Sequence, residues 1–339
     1  MQALFYHKLE NNKVQCKLCP HNCVISENKS GTCRVRINKK GDLISENYGV
    51  VSSIGFDPIE KKPLYHFYPG NEILSIGSLG CNLKCKFCQN WQISQCGVSD
   101  FERAKSFYKP DRIVNIAETR KTNIGIAYTY NEPTVFYEYM IDIAKEASGK
   151  GLKNVMVSNG YINTEPLKEL NQFINAYSID LKSFNNNFFK EYTQSELEPV
   201  KETLINIVKA KKHLEITNLI IPTLNDDEQE FEQMVKWIKN ELGENIVLHI
   251  SRYYPTYKLN IEPPSVEKLT SLYKIAGKYL KYVYLGNIIL SEGNNTHCPN
   301  CGTIIVNRKG YTITRQNLDE KGCCTHCGNL IFEHLNINE

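Results

Sequence analysis

From residue 71 to about 290 the chain repeats one alternation, a short apolar or β-branched run followed by a longer stretch of helical pattern. The runs are ILSIGS (73–78), IGIAYT (124–129), NVMVSN (154–159), YSIDLK (177–182), LEITNLII (214–221) and IVLHIS (246–251), each of strand length. YVYLGN (282–287) is a further short candidate. Between them, EPTVFYEYMIDIAKEASGKG has Pro133 near its start and Gly149 and Gly151 near its end, as a helix does. DDEQEFEQMVKWIKNELG carries acids in its first turn and stops at Gly243. Strands alternating with helices pair in parallel through right-handed crossovers. About six units fit a partial β/α barrel or a doubly wound sheet, with chemistry at the C-terminal ends of the strands in either case.

The 339 residues also allow one or two small modules, and boundaries are expected at 1–70, 71–295 and 296–339. A charged fraction of 23% and a hydrophobic fraction of 41% argue against a disordered tail and a membrane protein. The net charge is only +3 and its Lys and Arg are dispersed, so composition makes no case for a nucleic-acid partner. MQALFYHKLENNKVQCKL has no apolar run of signal-peptide length, and no later stretch is long enough to span a bilayer. A cytoplasmic protein is expected. Thirteen cysteines there point to metal or cluster ligation, because disulfides are disfavoured in that compartment and the count is odd. Four lie between 16 and 33, four between 81 and 96, and five between 298 and 327.

The central group stands in SIGSLGCNLKCKFCQNW, directly after the first candidate strand. Cys81, Cys85 and Cys88 have the spacing Cys-x-x-x-Cys-x-x-Cys, which random placement would produce only roughly 0.02 times in a chain of this cysteine content. Three thiolates on so short a loop can take three corners of an iron–sulfur cube. The fourth iron then lacks a loop ligand, unlike the four-cysteine clusters of electron-transfer ferredoxins. An open iron leaves a coordination site for a cofactor or substrate. A zinc knuckle completed by Cys96 is the competing reading.

The triplet with Phe87 before its last cysteine resembles the radical S-adenosylmethionine (SAM) superfamily. With DPIEKKPLYHFYPG upstream and YTYNEP downstream, it resembles the radical SAM enzyme of the AmmeMemoRadiSam system, a family similar to the activating enzymes of pyruvate formate-lyase and other glycyl-radical enzymes. The resemblance spans nearly the whole chain. It implies a partial (β/α)6 TIM-like barrel, a 4Fe-4S cluster on Cys81, Cys85 and Cys88, and bound SAM. Phe87 would pack near the adenine. Asn131 and Glu132, in the place of a Gly-Gly-Glu-type motif that lacks its glycines here, would meet the SAM amino group, a carboxylate suiting an ammonium. Ser158 and Asn159 after the third strand, with Asp180 and Lys182 after the fourth, would line the ribose and carboxylate, and His249 would be a SAM or substrate contact. Memo-like and AMMECR-like proteins are implied partners, and a flavodoxin or ferredoxin the implied electron donor.

Two outer modules flank this core. Cys16, Cys19, Cys23 and Cys33 can close a four-thiolate site, either a second iron–sulfur cluster or a structural zinc. Cys298, Cys301, Cys324 and Cys327 form two Cys-x-x-Cys knuckles that read as a zinc ribbon, with Cys323 able to replace Cys324. IIVNRKGYTI between them reads as a hairpin turning at Lys309-Gly310, with Arg308, Lys309 and Arg315 on a solvated face. Residues 57–70, with Asp57, Lys62, Tyr65 and His66, either face the active site or dock the modules together.

The expected function is reductive SAM cleavage for hydrogen abstraction, from a protein glycine or another peptide. A radical SAM enzyme acting on a small metabolite is the first alternative. A non-catalytic zinc protein that contacts nucleic acid is the second.

Overall fold

The computed structural model describes residues 1–97, 100, 107–288, 290 and 293–335. Short strands come first. β1 (Tyr6–Lys8), β2 (Val14–Cys16) and β3 (Val24–Ile25) form an antiparallel sheet, and β4 (Arg36–Lys39) with β5 (Asp42–Ser45) a hairpin. The main sheet contains β6 (Ser53–Pro58), β7 (Glu72–Gly77), β8 (Asn123–Tyr128), β9 (Lys153–Ser158), β10 (Ala176–Asp180), β11 (His213–Ile220), β12 (Val247–Arg252) and β13 (Tyr282–Gly286). Its order is β13-β12-β11-β10-β9-β8-β7-β6. β7 to β13 are parallel in unbroken chain order, and β6 pairs antiparallel with β7. Crossovers of one hand in that order put every connecting helix on one face, which is the arrangement of an open β/α barrel. The expected strands recur within one or two residues. YVYLGN supplies β13, a seventh parallel strand where six units were expected.

The helix Tyr137–Gly149 buries one side, including Met140, Ile143 and Ala144, against the outer face of the sheet. The helix Glu228–Trp237 starts at Asp227, whose carboxylate accepts from the backbone of Gln229 and Glu230. Gly243 follows at a φ of +105°, open only to glycine. No helix among the described residues is long and apolar enough to cross a membrane.

The floor of the inner face is filled by residues 57–70. Ile59, Leu64, Phe67 and Tyr68 pack there against Ile73, Ala127 and Val155. The same segment ties down the last module, β14 (Thr296–His297), β15 (Ile304–Lys309) and β16 (Thr312–Arg315). Glu215 of β11 is fully buried and accepts from the backbone of Tyr65 and His66 and from the rings of His213 and His249. Arg308 is buried, contrary to the solvated hairpin face expected for it. Its guanidinium lies 4.2 Å from the centre of the Tyr65 ring and donates to Tyr65 O and Thr296 Oγ1. Arg315 donates to Pro69 O. The segment is thus a docking element.

Hydrogen bonds run from Arg308 to Thr296, from Thr296 to the Tyr284 hydroxyl, and from that hydroxyl to His66 Nε2 at 2.7 Å. His66 Nδ1 lies 3.3 Å from Ile331 O, which places a ring proton on Nδ1. Burial, first of all, pushes His66 down to about 3. The unfolded imidazole takes its proton near pH 6.5 and the folded one only near 3, so this contribution is complete above pH 6.5 and is lost as pH falls through that window. Between pH 7 and pH 5 the chain is expected to lose about 2 kcal/mol from this group. Urea midpoints at the two pH values measure it. His66→Gln should flatten the dependence, and an equally steep loss in that variant would refute the assignment.

Candidate active site

β7 ends at Gly77 and the chain then crosses the mouth of the barrel through Cys81, Cys85 and Cys88. Backbone bonds brace this loop from several sides. Gly80 N–H donates to Ile93 O, Lys84 N–H to Thr193 O and Lys86 N–H to Tyr192 O, all at 2.8 to 2.9 Å. Gly80 has a φ of +86°, and a Cβ there would stand 2.8 Å from Cys33 O and from the Val35 side chain. Only glycine lets the N-terminal module come so close behind the cysteines. Cys85 is buried, while Cys81 and Cys88 are half-buried.

Glu132, at the turn after β8, is buried at the centre of the polar groups beside Cys81. Its Oε1 accepts from Thr134 N, Thr134 Oγ1 and Ser158 Oγ, at 2.7 to 3.0 Å. Its Oε2 accepts from Asn159 N–H at 2.9 Å and keeps acceptor capacity for a further donor. Burial pushes this carboxyl up, against the pull of those hydrogen bonds. Asn159 Nδ2 lies 2.9 Å from Asn82 Oδ1 and 3.8 Å from Cys81 Sγ, and Leu83 N–H donates to the same sulfur at 3.3 Å. Burial, then Glu132, raise the Cys81 thiol well above the usual range. Burial likewise takes Cys85 to about 12. Free thiolates are disfavoured at these positions.

After β10, Lys182 Nζ bonds to Asp180 at 2.7 Å and lies 5.9 Å from the centre of the Phe87 ring. Burial works against the lysine charge, but Asp180 and the sulfurs of Cys85 and Cys88 hold its pKa above the ordinary value. Phe87 itself is buried, packing against Phe188. Glu132, Ser158, Asn159, Asp180 and Lys182 therefore gather with the cysteine loop at the C-terminal ends of neighbouring strands. Asn131 holds a different place, accepting from Ser78 N–H and donating to Gly80 O, both at 2.8 Å. It positions the loop. His249 is not brought to this group. Its ring is buried on Glu215, 2.7 Å from Oε2, in the network that docks residues 65 and 66.

The outer cysteines form two unlike arrangements. Cys298, Cys301, Cys324 and Cys327 bring their sulfurs within 4.8 Å of one another. Cys298–Cys327 is 3.5 Å and Cys301–Cys324 is 3.7 Å. Cys323 stands outside this set and leaves the fourth place to Cys324. Cys16, Cys19, Cys23 and Cys33 instead line a chamber, together with Arg36, Asn82 and Thr134.

A family model described as the radical SAM superfamily matches residues 75–238. An uncharacterised protein of Methanocaldococcus jannaschii is 43% identical over 333 residues, 97% of this chain and 98% of that one. The pyruvate formate-lyase-activating enzyme of Clostridium pasteurianum is 24% identical over 216 residues, 60% of this chain and 87% of the enzyme. A radical SAM methyltransferase from Sphaerobacter thermophilus superposes with a TM-score of 0.50 at 15% identity, over 70% of this chain and 71% of that one, a likeness of fold alone. The chain belongs to the radical SAM superfamily, whose members use a 4Fe-4S cluster and SAM, and it is an enzyme, similar to glycyl-radical activating enzymes.

Asn82, the residue that joins Asn159 to the cysteine loop, escaped the motif reading because it fills an unspecified position between Cys81 and Cys85. Tyr130 was also missed. Its hydroxyl donates to Asp57 Oδ2 at 2.7 Å, and the same oxygen accepts from the buried Lys62. The YTYNEP segment offered only an aromatic there. Asn131→Ala should leave Ser78 N–H and Gly80 O without partners, at a cost of about 1–3 kcal/mol for each buried group. Amide exchange at Ser78 is expected to accelerate accordingly. Unchanged exchange would show that Asn131 does not hold the loop.

Proposed function

We propose that this enzyme cleaves SAM reductively at a 4Fe-4S cluster on Cys81, Cys85 and Cys88, and abstracts hydrogen from a protein or peptide, as glycyl-radical activating enzymes do. The observation that supports this most is the chain of hydrogen bonds from Glu132 through Asn159 to Cys81 Sγ, which sets an acceptor for an ammonium beside a thiol ligand. The donor set fits a cluster. Lys84 Nζ, next in sequence to Cys85, is buried without a partner among the described residues. An anionic cluster supplies the charge that this ammonium lacks.

When bound, the cluster supplies one electron that breaks the sulfonium carbon–sulfur bond of SAM, giving methionine and a 5′-deoxyadenosyl radical, which takes a hydrogen atom from the substrate. Glu132 Oε2 would accept from the SAM ammonium, and Ser158 and Thr134 fix that carboxylate in place. Lys182 would face the methionyl carboxylate as a point charge, its position set by Asp180, which also has acceptors for ribose hydroxyls. Phe87 would supply apolar wall near the adenine. Asn159 positions Cys81. The N–H donors on Cys81 Sγ favour its thiolate.

The C-terminal quartet fits a structural zinc. A zinc–sulfur bond of about 2.3 Å implies tetrahedral sulfur–sulfur edges of about 3.8 Å, close to the contacts seen. By resemblance of residues 57–70, 75–94 and 128–133, the system is the AmmeMemoRadiSam one, with Memo-like and AMMECR-like proteins as partners and a flavodoxin or ferredoxin as donor, in the cytoplasm.

Anaerobic reconstitution with SAM and dithionite tests the chemistry. Formation of 5′-deoxyadenosine is expected, and its loss in Cys81→Ala. No product from the wild type, or undiminished product from that variant, would overturn the reading. Lys182→Met should raise the KM for SAM about tenfold, equivalent to about 1.4 kcal/mol. An unchanged KM would remove Lys182 from the SAM site.

A further inference from the structure

We propose that Cys16, Cys19, Cys23 and Cys33 hold a second four-iron cluster, in a chamber directly behind the Cys81 loop. The assignment stands on the N-terminal module and does not require the reading of Cys81, Cys85 and Cys88.

Four thiols line one shared space behind the Cys81 loop. The other wall residues include Leu18, Ile25 and Val135, so the chamber is apolar apart from its sulfurs and a few donors. A wall of that kind excludes solvent from a cluster and tunes its potential. Among the described residues, the sulfurs that meet at zinc-like distances are those of the C-terminal quartet. A cubane holds its four thiolates further apart, with the inorganic core between them.

Two orphaned donors supply the second observation. Arg36 is only 1% exposed and lines the chamber. Its Nη1 is engaged by Glu138 and its Nη2 by Leu4 O, but Nε is buried with no partner among the described residues. An unmatched buried N–H is costly, and a cluster sulfur gives it an acceptor. Lys84 Nζ, next in sequence to Cys85, is likewise buried with no partner among the described residues. At Cys23 the Thr32 backbone already donates to Sγ at 3.5 Å, the sort of N–H bond that cluster thiolates accept. The chamber also adjoins the first site, because Asn82 lines it and is bonded directly to Cys81.

The test uses the full chain, reconstituted anaerobically, with Cys81, Cys85 and Cys88 all changed to Ala. About four irons and four sulfides per chain are expected, against about twice that in the wild type, with a visible absorbance that dithionite bleaches. Zinc should stay at about one per chain, from the C-terminal quartet. A second zinc, or no iron in the variant, overturns the proposal. In case the triple variant fails to fold, Cys19→Ser with Cys23→Ser gives the reciprocal measurement. Iron should fall by half while SAM still perturbs the electron paramagnetic resonance of the cluster that remains, and iron at the wild-type level would overturn the proposal. Arg36→Lys keeps a charge opposite Glu138 and removes Nε. One cluster's midpoint should move to a more negative value and the other's should not. Two unmoved midpoints would refute the role given to Arg36.

Discussion

A carboxylate taken out of water must be met by donors, and three buried glutamates dictate how the parts of this chain meet. Glu215 receives Tyr65, His66, His213 and His249, and so seats the docking segment in the barrel floor. Glu138 receives Leu4 N–H and, at both of its oxygens, Arg36 Nη1, and so fastens the N-terminal strands to the helix that follows β8. Glu132 receives Thr134, Ser158 and Asn159 at the mouth. In each case at least one partner comes from a segment far away in the sequence. A buried charge with one partner removed costs about 3–5 kcal/mol, far more than the pair gains over apolar packing, so these contacts act as conditions on assembly.

The barrel and the cysteine loop were legible because both follow local rules. Strand-length apolar runs need no partner to be recognised, and the spacing of Cys81, Cys85 and Cys88 lies within eight residues. The glutamates followed no such rule. Glu138 stands in a helical pattern where an acid ordinarily faces solvent, and Glu215 in a strand where a charge reads as an edge. Arg308 failed for the same reason. Alternation placed it on the outside of a hairpin, but the module docks by that face and the guanidinium is sandwiched on Tyr65. His249 followed its position on β12 toward the mouth, whereas the pairing acid on β11 was what fixed it.

The two outer modules act on the core differently. The C-terminal one covers β12 and β13 through Val247, Tyr282 and Tyr284, with no described bond to the Cys81 loop. Its four sulfurs close on themselves, which suits a staple for a module with little apolar core of its own. The N-terminal one shares the main core through Val14, Leu18 and Ile25, and it reaches the active loop.

That reach is mechanical as well as electrostatic. Cys33 O stands only 2.8 Å from where a Cβ on residue 80 would be, Asn47 Nδ2 donates to Leu79 O at 3.0 Å, and His21 Nε2 lies 2.8 Å from Asn82 O. Residues 79 to 82 are therefore set from behind by the module that carries the first four cysteines. Whatever fixes those cysteines also fixes the peptide that presents Cys81. A loop with one open side toward the barrel needs such a backing, because side chains hold a ligand geometry only as well as the shell that supports them.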